Sequence, residues 1–273
     1  MSIKSIFVPL SDADGAQVTI SAALRIAAGF GATVDVVHLR SDPTRALGDF
    51  VGESVSPQLV EEVLEQAEKR GKSVAAATRK AYDAAAKGTK NVNYSETRTN
   101  GDIAVETMGR LSDLVVARRG SGVKDVGARV VAETALMGTG RPVLVVPAKA
   151  PAKIGSNVAV AWNGSIEATK AVAAALPFLT QASKVTVISA NDGAPIDQKG
   201  LVAYLARHGI KAKGVSVKAG ANAGKAIVNA ATKAGANLLV MGAYSHSRVR
   251  EMIFGGVTEH ALSDSYLPVL LVH

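Results

Sequence analysis

The sequence contains no cysteine, which removes disulfide bonds, thiolate metal sites and thiol nucleophiles together. Aromatic side chains make up 4% of its 273 residues, so the core has to be assembled from Ala, Val, Leu and Ile. That composition suits parallel strands covered by helices on both faces. No apolar run approaches the ~20 residues of a membrane helix. The five histidines (His38, His208, His246, His260 and His273) never fall at metal-ligand spacing. No G-x-S-x-G nucleophile elbow occurs either. The opening Met1-Ser2-Ile3-Lys4 leads straight into a strand, with no targeting segment before it, so the expectation is a soluble cytoplasmic chain with no membrane partner. Acidic residues are scarce beyond position 150, where 12 Lys and Arg face 6 Asp and Glu; residues 1–150 hold 19 against 17. A basic second half suits an anionic small ligand. Its lysines (Lys184, Lys199, Lys211, Lys213, Lys218, Lys225, Lys233) are scattered and lack interleaved aromatics, so a solvated basic surface is expected over a nucleic-acid face.

The chain states one pattern twice. Residues 111–147 read LSDLVVARRGSGVKDVGARVVAETALMGTGRPVLVVP, and residues 235–273 read GANLLVMGAYSHSRVREMIFGGVTEHALSDSYLPVLLVH. Each is an apolar strand, a Gly-containing loop, a helix with an (A/T)-E-x-A-L stretch, a turn, a proline and a last apolar strand. The openings match as well, Ser5 to Ser11 against Val158 to Ser165, each before an Ala-rich helix. A repeat of about 140 residues is domain-sized, not a solenoid unit. The expected domains are 1–148 and 153–273, joined by the linker Pro147-Ala148-Lys149-Ala150-Pro151-Ala152.

Short Val-, Ile- and Leu-rich runs bounded by Gly, Pro or Asp predict strands at 3–10, 32–39, 91–98, 113–117 and 143–147. The second half predicts them at 156–162, 184–190, 213–218, 237–241 and 268–272. Helical spacing appears from Ala16 to Ala28, and Ser56-Pro57, an N-cap and first-turn proline, opens a helix that can run to Lys87. Further helices are expected near 165–179, 196–208, 222–234 and 253–264. Alternating strands and helices predict an α/β protein of two tandem doubly wound parallel five-stranded sheets. The uncharged terminal strands Val143–Val146 and Val269–Val272 are exposed-edge hazards unless paired, so they are expected to pair antiparallel and pack the halves as a pseudo-dimer.

In such sheets ligands bind beyond the carboxyl ends of the strands. There the second half places Met241-Gly242-Ala243-Tyr244-Ser245, and ten residues past Ser245 Gly255-Gly256-Val257-Thr258 stand at a helix start. Glycine lets backbone N–H groups approach phosphate oxygens, and a helix N-terminus favours negative charge. Arg248 and Arg250 lie between the two glycine clusters. The pattern resembles the nucleotide loop of the universal stress protein family, G-x-x-G, nine residues, then G and Ser or Thr. Together with the order of elements, that resemblance covers the whole chain as a tandem member of adenine-nucleotide α-hydrolase-like fold. It implies that ATP or AMP is held by Ala161, Asn163 and Ala190 on the nucleoside side. Met241, Gly242, Ser245, Gly255, Gly256 and Val257 would hold the phosphates, with Mg2+ present only if ATP binds. Three positions depart from the family pattern: Asn163 stands for Asp, Ser245 for Gly and Gly256 for Ser or Thr.

In the first half Arg118 stands where Gly242 does, Arg129 and Val130 where Gly255 and Gly256 do, and Ser11 where Asn163 does. This half is expected to be ligand-free, or to bind another ligand through Arg118, Arg119 and Arg129. The resemblance implies a cytoplasmic stress-response protein, regulatory and at most a weak ATPase, since no general base or metal cage is evident. The alternative is an interaction or assembly module that keeps the fold without nucleotide. Self-association to a homodimer is a further expectation. Gly224-Lys225 lacks the rest of a P-loop, and Lys225 reads as an exposed first-turn lysine; Trp162 reads as packing.

Overall fold

The computed structural model describes residues 2–50, 56–98, 101–120, 125–191, 196–218, 222–243 and 266–273. In the first half, strands β1 (Ser5–Leu10), β2 (Thr33–Leu39), β3 (Val92–Thr97), β4 (Leu114–Arg118) and β5 (Val143–Val146) alternate with helices α1 (Ala16–Phe30), α2 (Pro57–Ala86), α3 (Gly101–Gly109) and α4 (Val126–Gly138). The second half contributes β6 (Asn157–Ala161), α5 (Ile166–Gln181), β7 (Lys184–Asn191), α6 (Gln198–Arg207), β8 (Ala212–Lys218), α7 (Ala223–Lys233), β9 (Leu238–Gly242) and β10 (Val269–Val272). The helix expected at 253–264 lies outside the described residues. A short 3-10 turn at Pro43–Phe50 and the nine-residue α3 were not singled out by periodicity, being too short to show it.

Two five-stranded sheets were expected; they are fused into one of ten strands, in the order β3-β2-β1-β4-β5-β10-β9-β6-β7-β8. Every neighbouring pair is parallel except β5–β10, where Val145, Leu144 and Val143 face Val269, Leu270 and Leu271. The terminal strands therefore close each other's edge, as their uncharged sequences required. Phe30 of α1 meets Phe178 of α5 edge-to-face across this seam, 5.2 Å between ring centroids. Arg25 Nη1 also donates to the Pro151 carbonyl.

The duplication extends to individual hydrogen bonds. Asp113 Oδ2 accepts from the amides of Lys4 and Ser5 at 2.7 and 3.0 Å; Asn237 Oδ1 accepts from Gly155 and Asn157, both at 3.0 Å. Arg119 N donates to Val146 O and Ala243 N to Val272 O, at 2.8 and 2.9 Å. Strand side chains alternate between two cores. One, with Val8, Val36, Leu144, Val160, Val187 and Leu270, lies under α1, α5 and α6; the other, with Phe7, Val115, Ala159, Leu239 and Leu271, lies under α3, α4 and α7. Ser56 accepts from Leu59 N to start α2, and Ser165 accepts from Ala168 N to start α5, as their sequences predict.

Leu270 is fully buried at the seam. Leu270→Ala should cost about 2–5 kcal/mol, the range for large-to-small changes in a core. Urea denaturation followed by circular dichroism measures it, and a loss below 1 kcal/mol would mean the seam contributes little.

Candidate functional site

The adjacent strands β9, β6 and β7 end together, which brings the predicted positions Met241, Gly242, Ala161 and Ala190 to one rim of the sheet. Ser245, Gly255, Gly256 and Val257 lie outside the described residues, as do Arg248 and Arg250. Ala161 and Met241 belong to the core beneath α7, with Ala190 packed against it, so from these three the rim presents backbone and small surface. Asn163 is exposed in the turn after β6, where its Oδ1 accepts from Ser165 N at 3.1 Å. Gly164 follows at φ 76°, a left-handed conformation that suits glycine. Trp162 is half-buried and donates from Nε1 to the Asp197 carbonyl at 3.1 Å, so it packs, as its sequence position suggested.

Gly242 has a structural demand besides any ligand. A Cβ there would lie 2.5 Å from Ala168 N and 2.7 Å from Glu167 Cβ, because the first turn of α5 rests directly on the end of β9. The first half resolves the same crowding in reverse. Arg118 occupies the strand position, and the helix side is Gly15, whose added Cβ would collide with Arg118 Cδ. One glycine is needed at each strand–helix contact, and the two halves place it on opposite partners.

The Arg118 guanidinium is enclosed by carboxylates. Nη1 and Nη2 donate to both oxygens of Asp125 at 3.0 and 2.9 Å, and Nη2 lies 3.2 Å from each oxygen of Asp12. Burial alone would lower its pKa, but the hydrogen bond to Asp125 and the charges of Asp12 and Asp125 outweigh that and raise it. Sequence reading singled out Arg118 but not Asp12, Asp125 or Gly15; Asp125 is seven residues from Arg118, but Asp12 is 106 away, so no local signal joins them. Arg119 is buried and donates from Nη2 to the Leu267 carbonyl across the seam at 2.8 Å; burial holds its pKa down at about 10. Arg129 is half-exposed and pairs with Glu133 at 2.7 Å. All three arginines proposed for a first-half ligand are thus engaged by the protein itself.

A cleft of about 210 Å3 nevertheless opens in the first half, between Ser11, Leu39, Arg40 and Ser41 on one side and Asp102, Val130 and Val131 on the other. It sits at the carboxyl ends of β1 and β2, where ligands of doubly wound sheets bind. Arg40 is tied back to Glu68 at 3.2 Å and Glu96 at 3.9 Å. Beneath lies buried His38, whose ring Nδ1 contacts the Leu10 carbonyl at 3.1 Å; burial lowers its pKa. Among the described residues no group of three or more His, Asp or Glu side chains could hold a metal ion. No described helix is long and apolar enough to cross a membrane.

This arrangement, with Gly242 ending β9, coincides with a family match: the model of the universal stress protein family fits residues 156–273. The second half is similar to the universal stress protein family. Among solved structures, a universal stress protein from Archaeoglobus fulgidus DSM 4304 aligns with 99% of this chain and 96% of its own at 18% identity, with a TM-score of 0.68. A functionally unknown protein from Pseudomonas aeruginosa PAO1 aligns with 99% of this chain and 92% of its own at 15% identity, with a TM-score of 0.58. Both halves therefore share the universal stress protein fold. A search of curated proteins found no match.

Two expectations follow from the exchanged glycines. Gly242→Ala should destabilise by about 1–3 kcal/mol, the cost of overpacking against backbone; thermal denaturation without ligand tests it, and an unchanged Tm would show that the contact yields. Arg118→Ala should cost about 2–3 kcal/mol, below the ~3–5 of a fully buried pair because Asp12 is partly exposed. Arg118→Lys should restore little of that, since an ammonium cannot bind Asp125 through two parallel hydrogen bonds. Denaturant titration of the two variants decides whether the planar fork matters.

Proposed function

We propose that this chain is a cytoplasmic regulatory stress-response protein that binds AMP or ATP in its second half alone, with Mg2+ only alongside ATP. The observation that carries the reading is the contrast between Gly242 and Arg118. The second half keeps a glycine where the strand passes into the loop, within the segment matched by the family. The first half fills that position with a guanidinium held by two carboxylates, which leaves an anionic pair where a phosphate would have to enter. The nucleoside would rest on the rim formed by Ala161, Asn163 and Ala190, and the phosphates on Gly242, Ser245, Gly255, Gly256 and Val257. The domains are 1–148, with a degenerate ligand loop, and 153–273, with a partly retained nucleotide loop. The role is regulatory, with ATP turnover slow at most. A homodimer would have to use surfaces other than the seam, which the chain already satisfies internally.

The alternative is a non-nucleotide interaction module of the same fold. It is favoured by Asn163, which replaces an acid and whose Oδ1 is already engaged by Ser165.

Calorimetric titration of ATP and AMP separates the two. One site per chain is expected. Gly255→Val should cost several kcal/mol, since each charge-assisted hydrogen bond to phosphate contributes roughly 1.5–3 kcal/mol. Arg129→Val should leave affinity unchanged. Two sites, or equal losses in both variants, would refute the one-site reading; no heat with the wild type would favour the interaction module.

A further inference from the structure

Charge is handled differently in the two halves. The ion pairs found among the described residues join side chains of the first half, from Arg40–Glu68 to Arg129–Glu133. At the opposite end of the sheet, residues 196–243 carry Lys199, Arg207, Lys211, Lys213, Lys218, Lys225 and Lys233 against the single acid Asp197. All seven cations are exposed. None pairs with a described carboxylate, and Asp197 is committed to capping α6 through Gly200 N at 2.7 Å. These cations lie on the edge strand β8, on its two flanking helices α6 and α7, and on the turn between α6 and β8. Edge lysines protect a strand from pairing with another chain, but that role needs Lys213 and Lys218, not the cations of the helices beside it.

The structure also supplies the aromatic element that the linear sequence seemed to lack. Tyr204 is 39% exposed on α6 and packs edge-on against exposed His208, 4.8 Å between centroids, one turn along the helix and next to Arg207 and Lys211. Exposed rings among unpaired cations offer both parts of a single-strand site, a positive track for phosphates and a face on which bases stack.

We propose that α6 and the turn after it, beside the β8 edge, form a binding surface for single-stranded RNA, in which Arg207 and Lys211 contact phosphates and Tyr204 stacks on a base. An acidic protein segment would satisfy the charge but would make no use of the rings. The surface is remote in sequence from the loop after β9, so the inference stands apart from nucleotide binding there.

Fluorescence anisotropy of a labelled 20-nucleotide oligouridylate at 50–200 mM salt tests it. Binding should weaken with salt, and Arg207→Glu/Lys211→Glu should weaken it at least tenfold and flatten the plot of log affinity against log salt by roughly 1.4, about 0.7 for each lost phosphate contact on a single strand. Tyr204→Ala should weaken binding about fivefold or more with the slope unchanged, which separates stacking from charge. Lys80→Glu/Lys87→Glu, on the first half, should change affinity by less than twofold. Circular dichroism melting confirms that each variant is folded. No binding at 50 mM salt, equal losses in the first-half variant, or polyglutamate competing as well as RNA at equal charge would overturn the proposal.

Discussion

The antiparallel pairing of β5 with β10 is the constraint from which the rest of the architecture follows. Each half ends in four uncharged aliphatic residues, and an edge strand of that kind has no charge or bulge to stop it pairing elsewhere. Pairing them within one chain removes both edges and makes both cores continuous across the seam. Leu144 and Leu270, and Val143 and Leu271, become interior residues of a single ten-stranded layer. The seam also decides which edges remain: the sheet now ends at β3 and β8, the two strands farthest from each other. Those ends are where charge is placed, mixed and paired near β3, uniformly positive near β8.

Once the halves are locked together, neither has to be self-sufficient, and they have diverged at the same place. The strand–helix contact at Arg118 and Gly242 tolerates one side chain, not two. Putting glycine on the strand lets the first turn of α5 rest on the end of β9. Putting glycine on the helix, at Gly15, admits the Arg118 side chain, and the guanidinium then needs acids to offset its desolvation, which Asp12 and Asp125 provide. Asp125 sits at the N-cap position of α4, so the clamp ties β4 to the start of the next helix and to the turn after β1.

Element order, parallel sheets and the seam were legible in the sequence because each rests on patterns that need only neighbours in the chain. Aliphatic runs, Ser56-Pro57 and the repeated A-L helix are local signals, and the internal repeat multiplied them by two. The fusion into one sheet follows from the edge argument at Val143–Val146 and Val269–Val272. The Arg118 clamp was not legible. Asp12, Gly15, Arg118 and Asp125 come from three segments, and only the fold makes a glycine at 15 and an arginine at 118 compensate each other. Tyr204 and His208 were missed for a related reason: aromatic interleaving was sought along the chain, whereas a helix brings residues four apart onto one face.

Among the described residues, ion pairing is concentrated in the first half. Glu68 on α2 receives Arg40, Arg98 and Lys72, tying a helix of thirty residues to the ends of β2 and β3. The second half has a helix of ten residues in that place, α6, with no acid beyond its capping Asp197. The cations of β8 have no ion-pair partner among the described residues. Exposed pairs contribute little to stability, so their absence costs the fold little. What it changes is the field outside the protein, which is cancelled over the first half and uncancelled over the far edge of the second. Divergence after duplication has thus separated structural charge from charge that faces solvent, with the seam holding the two on one rigid sheet.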